Sequence, residues 1–180
     1  MLTLAALWLA LASPALTGDR NAAPDAVTRA TTWNTWEGDL AALVDGETPE
    51  GNPKARGFLW HGGGILVFEW EEPLLLESVR VYVGAIGNDY EIRAYVGGRL
   101  DENGTLREPE GTRTASAANH SRVTDAWTEV RFPPGTRADN IELVALGTIV
   151  FHEVEVRAGD GRVTAVPLSS WGVVKGGAAP

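Results

Sequence analysis

The sequence predicts an all-β protein in which two antiparallel sheets, with about eight strands in total, pack face to face as a sandwich. From about Thr28 to Arg157, apolar residues alternate with polar ones over short stretches, which is the period of a half-buried strand. Turn residues separate these stretches about every ten residues, a spacing typical of sandwiches and barrels. No stretch has a helical period long enough for the crossover that a parallel sheet needs.

The elements are predicted in chain order as follows. A first strand is predicted over residues 27–33, and residues 38–44 predict a short helical turn that ends at Asp45-Gly46. After a loop at residues 47–57, the apolar strand at residues 65–70 is expected to end before Pro73, because proline cannot donate a ladder hydrogen bond. The remaining strands are predicted at residues 79–83, 92–96, 112–118, 128–132, 141–145 and 149–157.

Length, charge and cysteine content exclude several classes of protein. The chain has 180 residues, which suits one domain with a real core. Its net charge of −9 disfavours nucleic acid and anionic lipid surfaces as partners, because like charges repel. The chain has no cysteine, which excludes disulfides, thiolate zinc sites and a cysteine nucleophile.

The two ends of the chain differ from the middle. Residues 2–12 form an apolar run that is too short to cross a bilayer and ends in Ala10-Leu11-Ala12, so residues 1–18 predict a secretory signal peptide. A buried N-terminal helix is the alternative, since no Lys or Arg precedes the run. We expect a flexible lead at 19–27, the sandwich at 28–158, and an edge strand with a disordered tail at 159–180. The protein is therefore expected to be secreted or periplasmic, without membrane insertion after signal removal.

Four segments, taken in order, resemble a known group of domains. They are Ala42-Leu43-Val44-Asp45-Gly46-Glu47-Thr48; Ile65-Leu66-Val67-Phe68-Glu69-Trp70 with Pro73 and Val79-Arg80-Val81-Tyr82; Trp127-Thr128-Glu129-Val130-Arg131-Phe132-Pro133; and Ile141-Glu142-Leu143 with Phe151-His152-Glu153-Val154-Glu155-Val156. Together they resemble the galactose-binding-like domains, which include discoidin domains, coagulation-factor type C domains and many carbohydrate-binding modules. The resemblance implies a jelly-roll sandwich but not a ligand, since this fold hosts sugar, lipid, peptide and structural roles.

The same resemblance implies a structural calcium ion beside the Asp-Gly loop. Its ligands would be Asp45, backbone oxygens near Glu47 and Thr48, and Glu153 from the last strand. Calcium prefers six to eight oxygen ligands, and such a loop offers carboxylates and carbonyls. Glu47 departs from the family pattern, which has a second Asp there. The alternative is that Asp45-Gly46 is a plain turn and Glu153 a solvated strand residue.

Aromatic and planar polar side chains in loops predict a glycan site. Indole faces can stack on sugar rings, while amide, carboxylate, imidazole and guanidinium groups fix hydroxyls. The alternative for each indole is packing in the core, and loops are polar in any protein. The candidate ligand-binding residues are Trp36, Trp60, His61, Asn88, Asp89, Tyr90, His120 and Arg122.

These observations favour a non-catalytic binding module over an enzyme. The string His61-Gly62-Gly63-Gly64 matches an esterase oxyanion motif, but no Gly-x-Ser-x-Gly nucleophile elbow accompanies it. We therefore expect a secreted module that binds a glycan or polysaccharide and serves a secreted enzyme or an envelope assembly. A structural or protein-interaction domain without glycan binding is the alternative, with a partner protein in place of the sugar.

Overall fold

In the computed structural model, the described residues are 20–31, 35–97 and 111–159. They form an all-β protein, which confirms the predicted fold class, and their only helical elements are two 3-10 turns, Ala23–Asp25 and Leu40–Leu43. Neither turn could span a membrane. The predicted signal peptide and almost all of the predicted tail lie outside the described residues. The strands are Arg20–Asn21 (β1), Val27–Thr31 (β2), Thr35–Glu37 (β3), Phe58–His61 (β4), Gly64–Val83 (β5), Tyr90–Val96 (β6), Thr112–Asn119 (β7), Ala126–Arg131 (β8), Arg137–Ala145 (β9) and Ile149–Gly159 (β10).

Strand β5 belongs to both layers of the sandwich. Its first half pairs with β2 and β9, where Phe68 lies opposite Ile141. Its second half pairs with β8 and β10, where Val81 lies opposite Val154. The layers are therefore β2–β5–β9–β6–β7 and β8–β5–β10–β4–β3, with β1 beside β10.

The predicted end of a strand before Pro73 is wrong, because β5 runs through this residue. The register with β9 shifts between Glu69 and Leu74, so the proline lies where the ladder is already interrupted. The missing N–H therefore costs no ladder hydrogen bond, and the irregularity lets one strand pass from one layer to the other.

The core lies between the layers and is built from the inward members of each alternation. Leu66, Phe68, Ile92 and Leu143 from one layer are fully buried, as is Phe151 from the other. Fully burying such a side chain stabilises the fold by about 1.5–3 kcal/mol. This tight interior fixes the strand ends, and through them the loops.

Residues 20–27, which belong to the flexible lead predicted at 19–27, are anchored to the sandwich. Strand β1 pairs with β10, and Ala22 and Ala23 are fully buried. The Asn21 side-chain oxygen accepts from the amides of Ala23 and Val156, at 3.1 and 3.0 Å. The Trp70 indole N–H donates to the Ala22 carbonyl at 2.9 Å, so polar groups as well as alanines hold this segment.

Strands β3 and β4 were not predicted, because three and four residues are too few to show a period of two. Strand β4 pairs with β10, with Phe58 opposite Phe151, and β3 extends the sheet, with Trp36 opposite Trp60. These two strands place Trp36, Trp60 and His61, three of the predicted site residues.

Candidate functional site

Four loops meet at one end of the sandwich, and we call this surface the loop end. Thr148 joins two of them: its hydroxyl accepts from the Gly62 amide at 3.1 Å, and its carbonyl accepts from the Asn88 side chain at 3.4 Å. The Leu146 amide donates to the Asp89 carbonyl at 3.2 Å. The loops are residues 62–63, 84–89, 120–125 and 146–148. They carry six of the eight predicted ligand-binding residues, or lie directly beside them.

An ionic cluster lies at the centre of the loop end. The Arg122 guanidinium donates two hydrogen bonds to the Asp89 carboxylate, at 2.8 and 3.0 Å. The His120 Nδ1 lies 3.6 Å from the same carboxylate. The hydrogen bond from Arg122 lowers the pKa of Asp89, so this carboxylate is ionised at neutral pH. Arg122 has five N–H donors, and three remain after it binds Asp89.

The backbone of the loop that carries this cluster is unusual. Among the described residues, Arg122 and Asp125 are the non-glycine residues with positive φ, at 49° and 52°. This left-handed region is uncommon for side chains larger than glycine, and it is found at sites where the surrounding structure imposes it. Here the Gly87 backbone packs so closely that an added Cβ would lie 2.3 Å from the Val123 carbonyl oxygen.

Tyr90 supports the loop end from below and does not contact solvent. Tyr90, predicted as a ligand contact, is 1% exposed and lies beneath the surface of the loop end. Its hydroxyl accepts from the Asn119 amide at 3.1 Å and lies 2.6 Å from the Thr128 hydroxyl, which in turn donates to the Val81 carbonyl at 3.0 Å. Burial raises the pKa of Tyr90, which keeps the hydroxyl protonated as a donor to Thr128.

The aromatic residues on the other side of the loop end are divided between core and surface. Trp60 is fully buried, so it cannot serve as the predicted sugar platform; a side chain at Gly64 would collide with its ring. Trp36 is 43% exposed and packs on Phe58 and Trp60, with ring centroids 6.3 and 5.5 Å away. The exposed His61 lies 2.8 Å from the Glu37 carboxylate.

Three aliphatic side chains at the loop end are exposed. Leu146 is 60% exposed, Ile86 42% and Val123 38%. They were not predicted as site residues, because single exposed aliphatic residues carry no signal in a sequence. Their shared position on interacting loops gives the ionic cluster an apolar border.

An open cavity of about 480 Å³ lies next to the loop end, and we call it the β7–β8 cleft. Trp127 lines this cleft, although it is not among the ligand-binding residues predicted from the sequence. The Arg80 guanidinium lies 4.4 Å from the Trp127 ring centroid, and the Tyr82 ring lies edge-on at 5.6 Å. The position of Trp127 directly after a polar loop is the feature of the sequence that could have identified it as a site residue. The cleft is lined by Ala118, Asn119, His120, Ser121, Val123, Trp127, Thr128 and Glu129.

The residues predicted to bind calcium also come together, at a different place. Glu153 is 2% exposed, and its carboxylate accepts from the Gly46 amide at 3.0 Å. Burial raises the pKa of Glu153 to about 8, and the charge of Asp45 adds to this effect. Two carboxylates beside a loop of carbonyls are chemically suited to calcium.

Other contacts in this loop limit the donors that it offers. The Thr48 carbonyl accepts from the amides of Gly51 and Asn52, at 3.0 and 2.8 Å. The Glu47 carboxylate accepts from the Asn52 side chain at 2.9 Å. No group of three or more acidic or histidine side chains suited to a metal occurs among the described residues. A cation there would need further carbonyls or water.

The comparisons with known proteins identify the fold of the chain. No family model and no curated protein matches the chain. A fucose-binding module from Streptococcus pneumoniae matches with a TM-score of 0.55 and 15% identity, over 76% of this chain and 96% of the module. A chitosan-binding module from a Paenibacillus chitosanase/glucanase matches with a TM-score of 0.53 and 11% identity, over 76% of this chain and 98% of the module. The chain has the galactose-binding-like fold.

A third solved structure of this fold is the family 32 carbohydrate-binding module of C. perfringens NanJ in complex with galactose. Its TM-score is 0.51 at 15% identity, over 76% of this chain and 98% of the module. The resemblance inferred from the four sequence segments is therefore confirmed for the galactose-binding-like fold. At these identities the comparisons establish the architecture, and the ligand has to be argued from the loop end itself.

Proposed function

We propose that this protein is a non-catalytic carbohydrate-binding module whose ligand contacts lie at the loop end. The observation that carries the proposal is the exposed cluster of Asp89, Arg122 and His120 bordered by exposed aliphatic side chains. Sugars present hydroxyl groups and apolar C–H faces together, so a site for them needs both kinds of group. Similar structures include fucose-, chitosan- and galactose-binding modules, which supports the same class of ligand.

The side chains of the loop end would make different kinds of contact with the sugar. Arg122 would donate its remaining N–H groups to sugar hydroxyls, and Asp89 holds it in place through two hydrogen bonds. His120 directs Nδ1 at Asp89, so Nε2 is the ring nitrogen available to a ligand. Leu146 and the exposed side of Trp36 would cover the apolar sugar faces.

The charge distribution favours uncharged or amino sugars over acidic ones. At the loop end, the Asp89 carboxylate is paired with Arg122, and the Glu37 carboxylate lies against His61. The described loop end therefore has no excess of positive charge, and the whole chain has a net charge of −9. Uronate or sulfated glycans would approach against this field.

Arg122→Ala tests the proposal most directly. Glycan-array screening identifies the ligand, and calorimetry should then show affinity at least about tenfold weaker, because a charge-assisted donor is lost. Arg20→Ala is the matched control, since Arg20 forms an exposed pair with Asp25 at 2.6 Å at the opposite end of β10. The proposal fails if no glycan binds, or if both variants bind like the wild type.

We also propose that the module is secreted or periplasmic and works beside a secreted enzyme or in an envelope assembly. The apolar run at residues 2–12 supports export. A protein-interaction domain is the second candidate, favoured by the exposed Ile86, Val123 and Leu146. Ile86→Ser separates the two, because it should abolish capture of a protein partner while sugar binding, in which Ile86 has no assigned contact, should persist.

We propose, finally, that calcium stabilises the loop against Glu153. The buried carboxylate beside Asp45 supports this, since a cation would offset two nearby negative charges. Added calcium should raise the melting temperature in the wild type and not in Glu153→Gln. A melting curve that neither chelator nor calcium changes would exclude the ion.

A further inference from the structure

The β7–β8 cleft is continuous with the loop end. His120 and Val123 belong to both surfaces. Asn119, which also lines the cleft, donates to the Tyr90 hydroxyl beneath the loop end. The volume of about 480 Å³ lies within the range of about 300–1,000 Å³ that small-molecule sites occupy. A ligand seated on the Asp89–Arg122 pair can therefore extend into the cleft without leaving the protein surface.

Trp127 is held in place before any ligand arrives. The Arg80 guanidinium lies over its ring at 4.4 Å, and Arg80 is itself fixed by a hydrogen bond to the Glu155 carboxylate at 2.6 Å. The Tyr82 ring holds the indole from the side. A side chain fixed in this way loses little conformational entropy on binding, which favours its use as a platform. Trp36, at the other side of the loop end, has no cationic partner of this kind in the described contacts.

Hydrogen-bonding groups surround the indole in the cleft. The Ser121 hydroxyl donates to the Asn119 side-chain oxygen at 2.7 Å, which leaves its own lone pairs as acceptors. The Arg131 guanidinium donates to the Glu129 carboxylate at 2.9 Å and orients it. The pKa of Glu129 is lowered, mainly because its carboxylate accepts a hydrogen bond from Ser78 and also because it accepts one from Arg131. An ionised acceptor, a hydroxyl and an indole within one cleft match the hydroxyls and C–H faces of a sugar ring.

We propose that the ligand is an oligosaccharide of at least two units, with one unit on the Asp89–Arg122 pair and the next in the β7–β8 cleft against Trp127. This inference rests on the proposed function and deepens it, because it assigns a second subsite and a chain length. A terminal monosaccharide occupies only the first subsite. The occupant is a sugar unit and not an apolar peptide segment, because Asn119, Ser121 and Glu129 would lose solvent without gaining partners under an apolar side chain.

Calorimetry with two ligand series tests the inference: galactose, galactobiose and galactotriose, and glucosamine, chitobiose and chitotriose. In the series that binds, the disaccharide should bind about tenfold more tightly than the monosaccharide, since stacking and one or two hydrogen bonds are added. Trp127→Leu should reduce this ratio to near one. Glu129→Gln, an exposed change that spares the packing on Tyr82, should reduce it by about threefold. Arg20→Ala should leave the ratio unchanged.

The outcomes separate the two proposals. If sugars bind and depend on Arg122, but the affinity is the same for one unit and two, the cleft subsite is refuted and the loop-end site stands. The cleft subsite is also refuted if both Trp127→Leu and Glu129→Gln prefer the disaccharide over the monosaccharide by the same factor as the wild type does. If neither series nor any array glycan binds the wild type, both proposals fall. Melting curves for Trp127→Leu establish that the variant is folded, and Glu129→Gln decides the question if it is not.

Discussion

The carboxylates of Asp89 and Glu153 have opposite electrostatic surroundings. Asp89 lies at the surface, where Arg122 binds both of its oxygens and lowers its pKa. Glu153 is buried, accepts a hydrogen bond from the Gly46 amide, and has a pKa raised to about 8. The first carboxylate keeps its charge and positions a donor for ligands. The second gains stability only by taking up a proton or a cation, which is typical of a structural site.

The largest expected effect concerns Glu153 and the pH dependence of stability. In chelator, the folded state keeps a proton that the unfolded chain releases near pH 4.5, so stability should fall as pH rises from about 4.5 to about 8 and then level off. Glu153→Gln should remove most of this slope and be more stable than the wild type by about a few kcal/mol above pH 8. Denaturant unfolding across this pH range is the measurement; parallel curves for both proteins would contradict it.

Asp89→Asn should weaken ligand binding by about tenfold. The amide keeps the shape of the side chain but loses the charge that fixes the guanidinium of Arg122. The pH dependence here has the opposite sign to that of Glu153: any stabilisation from Asp89 is lost as pH falls through its lowered pKa. Calorimetry at neutral pH gives the affinity, with Asp25→Asn as the matched control. Unchanged binding would mean that Arg122 needs no partner.

Tyr90→Phe should cost about 1 kcal/mol of unfolding free energy, because Thr128 and Asn119 each lose a buried partner. The same change should weaken binding by less than Asp89→Asn does, since Tyr90 acts only through the residues above it. Urea denaturation measures the stability. A variant as stable as the wild type would show that the hydroxyl pair is replaced by water.

Trp36→Ala should have the smallest effect, a loss of affinity of about threefold, because only part of the ring is exposed. Its packing on Phe58 makes a melting-temperature control necessary. A loss larger than that of Asp89→Asn would move the centre of the site from the ionic cluster to the β3–β4 edge.

The regular strands could be predicted from the sequence because each has enough alternating residues to show a period of two. Strand β6 at Tyr90–Val96 and strand β10 at Ile149–Gly159 are examples. The sequence could not show β3 and β4, whose pairing depends on distant residues such as Phe151. It also could not show that Pro73 lies at a register shift, where its missing N–H has no consequence.

Residues of the candidate site could be predicted from the sequence only where they lie in polar loops. Asp89, His120 and Arg122 come together as one cluster. Trp60 and Tyr90 were chosen by residue type, but their burial depends on neighbours far along the chain, such as Phe151, whose ring lies 6.0 Å from that of Tyr90. Trp127 was not predicted as a ligand contact, since a sequence does not reveal that a cavity lies beside a strand.

The passage of β5 through both layers has a consequence for unfolding. The two layers share one strand of 20 residues, so neither can open without moving the strand that the other contains. Amide protons in the two paired segments of the strand, residues 64–69 and 74–83, should therefore exchange with deuterium at a common slow rate. The sandwich would then melt as one cooperative unit, which holds the loops at its end in register until the whole domain is lost.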